Sequence, residues 1–230
     1  MRILIATALS LASFGAFAQD DEPISGKTVT ADVPVKPFDA LKASGVYELK
    51  LAQGATESVK IEADENLQAL FLVRNEGSQL VIDMKERKGG FRLKKGARMT
   101  VYVTFRQLKR LDLNMVGNVR TDAQLTFGNL KLQNKSVGNV DLKLTADRID
   151  VENDGVGNVV LSGKATNAVF RHDGVGALRA GELMSETVNI ENDGVGSAEV
   201  NAEKELKVRD SFMGKVKNRG AAKAYKKEVI

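Results

Sequence analysis

The chain has 230 residues and no cysteine, with 34 basic residues against 30 acidic ones and a net charge of +4 at neutral pH. The lack of cysteine excludes disulfides, thiol chemistry and a lipid anchor on an N-terminal cysteine, and the small charge does not indicate a nucleic-acid partner. A chain of this length can bury a large core without disulfides.

The N-terminal segment, residues 1–18, has the pattern of a cleaved signal peptide. A single positive charge precedes an uncharged run from Ile3 that ends in Ala16-Phe17-Ala18. Small residues on either side of a larger one suit a signal peptidase, so we predict cleavage before Gln19. A membrane anchor would need about 20 apolar residues, and this run is interrupted by polar residues and followed by acidic ones. We therefore expect export to the periplasm, the outer surface or the medium, with no span across the membrane.

Residues 19–36 are interpreted as a leader, and residues 37–108 as irregular coils that cap the regular part of the fold. Alternation of apolar and polar residues predicts five strands, at Lys27–Val33, Val46–Ala52, Ser58–Ala63, Gln79–Met84 and Met99–Phe105. A short helical turn is predicted at Glu65–Leu70. Because open ends of β-structure promote aggregation, these strands are expected to extend the repeats described next and cover their end.

Two segments are strongly basic. The first contains Lys85, Arg87, Lys88, Arg92, Lys94, Lys95 and Arg98, and the second contains Lys215, Lys217, Arg219, Lys223, Lys226 and Lys227. The simpler interpretation is a solvated hairpin and a charged end cap, since runs of charge are usually solvated. The alternative is contact with an anionic envelope polymer or glycan through Lys88, Arg92, Lys94 and Lys95.

A short motif centred on glycine recurs through the second half of the chain. Its copies are Val116-Gly117-Asn118, Val137-Gly138-Asn139, Val156-Gly157-Asn158, Val175-Gly176-Ala177, Val195-Gly196-Ser197 and Met213-Gly214-Lys215. The glycines of successive copies follow one another at nearly equal intervals along the chain. A nearly constant period of this length is typical of stacked repeats.

Alignment on these glycines shows columns of similar residues. Six positions before the glycines lie Leu111, Leu132, Val151, Phe170, Ile190 and Val208. Two positions after them lie Val119, Val140, Val159, Leu178, Ala198 and Val216. Apolar residues thus alternate with polar ones, which predicts short strands on either side of the glycine turn, with a third short segment such as Lys164–Asn167 closing each coil.

The fold class predicted from this pattern is all-β, a parallel β-helix (β-solenoid) of about 20 residues per coil, with regular repeats over residues 109–218. A sandwich would not repeat one pattern in register, and leucine-rich repeats carry a different consensus. An outward column lies five positions before each glycine, at Asp112, Gln133, Glu152, Arg171, Glu191 and Arg209. We predict that parallel stacking places Arg171 between Glu152 and Glu191 on the outer face.

Three consecutive repeats carry a turn sequence before the glycine, at Asn153-Asp154-Gly155, His172-Asp173-Gly174 and Asn192-Asp193-Gly194. Asx side chains and glycine favour turns, and Asn134, Asn153 and Asn192 could form a ladder of amides there. His172, the single histidine, stands in the asparagine column and is interpreted as a turn substitution.

The candidate metal ligands are Asp154, Asp173 and Asp193, which could bind Ca²⁺ or act as acid and base on a polysaccharide. We favour a role for each in its Asp-Gly turn, so the sequence predicts no catalytic, metal or cofactor site.

Several segments resemble the bacterial head GIN domain family, which is also called putative auto-transporter adhesin. They are Phe38-Asp39-Ala40-Leu41-Lys42-Ala43-Ser44-Gly45-Val46-Tyr47, Gly54, Ser58-Val59-Lys60-Ile61-Glu62-Ala63-Asp64-Glu65-Asn66-Leu67, Leu80-Val81-Ile82, Val101-Tyr102-Val103-Thr104 and the Gly-Val-Gly repeats. The resemblance covers residues 37–225. It implies a single-stranded right-handed β-helix, a location in the envelope or outside the cell, and no catalytic residues.

The sequence leaves three functions open. The first is a non-catalytic solenoid that presents a surface for adhesion or envelope binding. The second is a polysaccharide-cleaving enzyme built on a β-helix, and the third is a purely structural envelope protein.

Overall fold

The computed structural model describes residues 25–85, 98–210 and 214–226, which form one sheet of sixteen strands and a single 3₁₀ helix. The all-β prediction is confirmed. Within these described ranges, no helix is both long enough and apolar enough to cross a membrane.

The N-terminal elements precede the glycine repeats. They are β1 Thr28–Val33, β2 Ala40–Val46, β3 Glu48–Gln53, β4 Ser58–Asp64, the 3₁₀ helix Gln68–Leu70, β5 Phe71–Glu76, β6 Gln79–Met84 and β7 Met99–Phe105.

The repeat region forms the remaining strands. They are β8 Arg110–Val116, β9 Val119–Thr121, β10 Leu125–Asn134, β11 Val140–Asn153, β12 Val159–His172, β13 Leu178–Asn192, β14 Gly196–Asp210, β15 Gly214–Asn218 and β16 Ala224–Lys226.

Strands β10 to β15 stack in parallel, each on the next along the chain, and form a β-solenoid of about five turns about 20 residues apart. The register follows the predicted columns, because Val140 pairs with Val159, Val159 with Leu178, and Leu178 with Ala198. The solenoid prediction and its repeat alignment are confirmed. The strands are longer than predicted. In β12, for example, the second and third segments of one coil continue into the first segment of the next coil as a single strand.

The core is built from columns of side chains that occupy the same position in successive coils and are buried in each. The column six positions before the glycines is buried in every coil, from Leu111 to Val208. Along β11 inward and outward residues alternate, and the alternation breaks at Asp147 and Arg148, which are both exposed. Two adjacent exposed residues mark a bend, so one strand serves two sides of the solenoid.

The repeated glycines form one corner of the coils. Their φ angles lie between 130° and 148° for Gly117, Gly138, Gly157, Gly176 and Gly196. A Cβ on Gly157 would overlap the carbonyl oxygen of Gly138 in the preceding coil. Glycine is therefore required both by the backbone angle and by the close approach of neighbouring coils.

The N-terminal strands add two rungs and a cover. Strands β6, β2 and β8 stack in parallel, as do β7, β3 and β9, so the β2–β3 rung lies between rungs that are distant from it in sequence. Strands β1, β4 and β5 pair antiparallel at this end. The predicted strand Val46–Ala52 is interrupted at Tyr47, and the prediction missed β2 and β5.

Candidate binding face of the coils

The outer face beside the glycine corner carries two parallel columns of side chains, and together these two columns are called the binding face below. The first column runs Lys42, Asp112, Gln133, Glu152, Arg171, Glu191 and Arg209 in consecutive rungs. The second column lies two residues further along the chain in each coil and includes Asn114, Lys135, Asp154, Asp173 and Asp193, of which all but Asn114 directly follow the end of a strand. Parallel rungs are about 4.8 Å apart, so each column is a ladder of fixed spacing.

From Glu152 onward, charges alternate along the first column. Arg171 pairs with Glu152 on one side and with Glu191 on the other in the strand register. The Arg171 Nε lies 3.2 Å from Glu191 Oε2, and the Arg209 Nη2 lies 3.2 Å from that same oxygen. The predicted position of Arg171 is confirmed.

A hydrogen-bonded network fixes the floor of a groove toward the N-terminal end of the binding face. Arg110 donates to Asp112 Oδ1 at 2.8 Å through Nε and to Gln133 Oε1 at 3.0 Å through Nη2. Gln133 donates in turn to Glu152, and Gln79 donates to Asp112 at 3.5 Å. The network spans several coils, so its side chains hold their orientation before any ligand arrives.

The network also shifts the acidity of its members. The hydrogen bond from Gln133, followed by that from Lys131, lowers the pKa of Glu152 below its usual value. The Asp112 carboxylate raises the pKa of Arg110. Both groups therefore keep their charges at neutral pH.

The groove above this floor has a volume of about 360 Å³. Three further polar side chains that line the groove, Lys42, Asn114 and Lys135, are called its rim below. Within the described part of the chain, Lys42 has no ion pair and the Asn114 amide has no hydrogen bond. Of the described residues, Lys135 reaches Asp154 alone, at 3.8 Å, and its side chain is 66% exposed.

The predicted aspartate column lies on the binding face with its carboxylates exposed. Asp154 is near Lys135, and Asp193 lies 3.4 Å from Arg209 Nη2. Among the residues the structure describes, no three acidic or histidine side chains are close enough together to hold a metal ion. In the coil before these three turns, Asn134 Oδ1 accepts a hydrogen bond from the Ser136 N–H at 3.2 Å.

The asparagine column lies in the interior, where it forms a directional chain of hydrogen bonds. Asn134 Nδ2 donates to Asn153 Oδ1 at 2.7 Å, and Asn153 Nδ2 donates to His172 Nδ1 at 2.8 Å. The proton of the neutral imidazole therefore sits on Nε2, which donates to the Gly176 carbonyl at 3.1 Å. His172 is fully buried and continues the ladder by its ring, so it belongs to the core rather than to a surface site.

Asn192 is the next member of the column and is also fully buried. Its amide has no hydrogen-bond partner within the described residues, because the donor of His172 points to Gly176 instead. The predicted amide ladder is therefore present at Asn134 and Asn153 and interrupted before Asn192.

The predicted polymer contacts Lys88, Arg92, Lys94 and Lys95 lie outside the described residues. In the C-terminal basic segment, Arg219 Nε is 2.7 Å from Glu199 Oε1, and Lys217 Nζ is 3.6 Å from that oxygen. Part of the C-terminal basic cluster is thus neutralised by carboxylates of the preceding coil. The sequence analysis did not predict the groove, because its residues come from four separate stretches of the chain.

Residues 37–222 match the family described as putative auto-transporter adhesin, head GIN domain. The chain belongs to this family. The match spans most of the chain and includes both the N-terminal rungs and the glycine repeats. Among curated proteins, none matches the chain.

Solved structures show the same architecture. A putative adhesin from Bacteroides fragilis is 28% identical, with a TM-score of 0.74 over 88% of this chain and 98% of that one. A putative lipid binding protein from Parabacteroides distasonis is 17% identical, with a TM-score of 0.67 over 88% and 94% of the two chains. A putative adhesin from Parabacteroides merdae is 20% identical, with a TM-score of 0.62 over 89% and 93%. At such low identities, the last two show the shared fold alone.

Proposed function

We propose that this protein is an exported, non-catalytic adhesion protein whose binding face contacts a partner in the cell envelope or outside the cell. The family and the Bacteroides fragilis structure are both named as adhesins, which supports an adhesion-like role. Export is proposed from the signal-peptide pattern of residues 1–18.

The observation that carries the proposal is the pre-organised groove on the binding face. Its floor is held by hydrogen bonds that cross from coil to coil, whereas Lys42, Asn114 and Lys135 on the rim keep donors that no other described residue fully uses. A rigid floor lowers the ordering cost of association, and free polar groups on the rim can exchange water for ligand. This combination suits recognition of a polar ligand.

The test is binding of the purified protein to envelope extract and to a glycan array. We expect a binding partner that is lost on substitution of Asn114→Ala together with Gln133→Ala. Lys164→Gln is the matched control, since Lys164 is exposed and its strand neighbours Thr145 and Met184 are uncharged. Binding that is unaffected by the double substitution would place the partner site elsewhere.

The same samples distinguish adhesion from the other two functions. Release of new reducing ends from a bound polysaccharide would establish a cleaving enzyme and contradict the proposal. Failure to bind any envelope or glycan preparation would favour a purely structural protein. Export is tested separately by the mass of the mature chain, which is expected to begin at Gln19.

A further inference from the structure

The charges that line the groove do not balance. Lys42, Arg110 and Lys135 supply three cations, whereas Asp112 supplies one carboxylate. Arg110 and Asp112 neutralise each other through the 2.8 Å contact between Nε and Oδ1. Lys42 is left without an ion pair among the described residues, and Lys135 has a long, exposed one with Asp154 at 3.8 Å, which contributes little.

The two lysines are set apart in a way that favours an extended ligand. Lys42 lies in register with Asp112, and Gln133 occupies the following rung. Lys135 is two residues beyond Gln133, so the two lysines are separated by two rungs and two residues. That offset corresponds to about 12 Å between their Cα atoms. A chain with repeated charges is long enough to contact both lysines at this spacing.

The remaining side chains of the groove suit hydroxyl groups. The Asn114 amide offers a donor and an acceptor, which is the pairing that a sugar hydroxyl requires. Gln79 and Gln133 each keep a second amide N–H beyond the one that bonds Asp112 or Glu152. Val116 and Val137 pair at the corner and are half exposed, and they follow Asn114 and Lys135 by two residues along the chain. Exposed valines beside polar groups match the mixed C–H and hydroxyl surface of a sugar ring.

We infer that this groove binds an acidic glycan, with the ligand's carboxylates held by Lys42 and Lys135 and its hydroxyls bound by the neighbouring amides. The inference rests on the proposed function and names the ligand class of the same face. A lipid tail would need a deep apolar cavity, whereas the lining here is polar except for Leu113. The regular spacing of the rungs also matches a ligand that repeats along its own length.

The experiment titrates the full chain with a trimer of galacturonic acid and, in parallel, with its methyl ester, which removes the charges and keeps the sugar framework. We expect the acid to bind and the ester to bind much more weakly. Binding of the acid should weaken as salt rises to about 0.5 M, because exposed charges are screened within a few ångströms there.

The decisive variant carries Lys42→Gln and Lys135→Gln together. Loss of two exposed charge-assisted contacts should weaken acid binding by about tenfold or more, with the melting temperature unchanged. Lys164→Gln, which removes an exposed lysine outside the groove, should bind as the parent does.

The remaining outcomes would overturn this inference without overturning the proposed function. Equal binding of acid and ester would overturn the acidic ligand while leaving adhesion to a neutral glycan in place. Acid binding that is insensitive to the double substitution would overturn the assignment of the ligand to Lys42 and Lys135. Binding to anionic phospholipid vesicles without binding to the trimer would overturn the glycan assignment. Binding of neither trimer nor ester, alongside binding to envelope extract at the same face, would also overturn it.

Discussion

At the scale of single residues, the corner glycines meet two separate restrictions. The φ angle of Gly157 is 130°, a region that other residues rarely adopt, and the space for a Cβ is filled by the Gly138 carbonyl. We expect Gly157→Ala to lower the free energy of unfolding by about 2–4 kcal/mol, because it adds backbone strain and a steric overlap with the preceding coil.

Urea unfolding measures this change, and Gly128→Ala is its control. Gly128 is exposed, and a Cβ there would meet only Asp147 Oδ2 at 3.8 Å. The control should alter stability by less than about 0.5 kcal/mol. A similar small effect at Gly157 would mean that the corner relaxes easily and that the glycine column has another cause.

A second prediction at this scale concerns the interior polar column. The same substitution at two equivalent positions should change the free energy of unfolding in different ways. Asn153→Val removes the partner of both Asn134 and His172 and leaves buried polar atoms unpaired, so it should cost about 2–4 kcal/mol. Asn192→Val removes an amide without a described partner and should be neutral or stabilising by about 1 kcal/mol.

The two variants share one substitution in the same column, so propensity and volume effects largely cancel between them. Urea unfolding of both, at one pH, supplies the comparison. A large loss of stability for Asn192→Val would show that its amide is satisfied after all, for instance by buried water.

At the scale of strands, the outward column behaves as a ladder of alternating charge. Arg171→Glu would place three carboxylates in consecutive rungs, at positions 152, 171 and 191. We expect a loss of about 1 kcal/mol at low salt that shrinks as salt is added, because these side chains are partly exposed.

The control for charge reversal is Lys164→Glu, whose rung neighbours Thr145 and Met184 carry no charge. Thermal unfolding of both variants at two salt concentrations tests the ladder. Equal effects of the two reversals would show that overall charge, rather than the alternation within the column, determines the loss.

The regular coils could be predicted from the sequence because their information is local and repeated. Each strand presents the same column residues, and glycines mark the corner at nearly equal intervals. The N-terminal rungs carry no such signal. Strand β2 pairs with β6 and with β8, which are both distant from it in sequence, and its side chains alternate only weakly because Ala40 and Ala43 are small.

The groove was not predictable for the same reason. Lys42, Gln79 and Arg110 meet only because the β2–β3 rung is inserted between two others. The outward position of Arg171, in contrast, follows from the repeat alone. The sequence also does not show that the asparagine column points inward, since Asn-Asp-Gly suits an exposed turn equally well.

At the scale of the whole molecule, coils contact mainly their immediate neighbours, so stability is close to a sum of local terms. Asp64, at the end of β4, holds the segment before β1 in place within the N-terminal cover. Its carboxylate accepts from the N–H of Ser25 at 3.0 Å, of Gly26 at 2.8 Å and of Asn66 at 3.1 Å. Burial alone would raise the pKa of Asp64, but these donors hold it below its ordinary value.

Because the folded pKa is lowered, the contribution of Asp64 is present above its ordinary value near pH 4 and is lost as pH falls through the folded value. Asp64→Asn removes the charge at any pH. We expect amide hydrogen exchange of β1 at pH 7 to accelerate by about tenfold in this variant, whereas β12 keeps its protection. Glu65→Gln is the control, since its ion pair with Lys27 is more than half exposed on both sides and should have no measurable effect. Faster exchange in β12 as well would show that the solenoid opens as one cooperative unit, and unchanged exchange in β1 would show that Asp64 does not hold the cover in place.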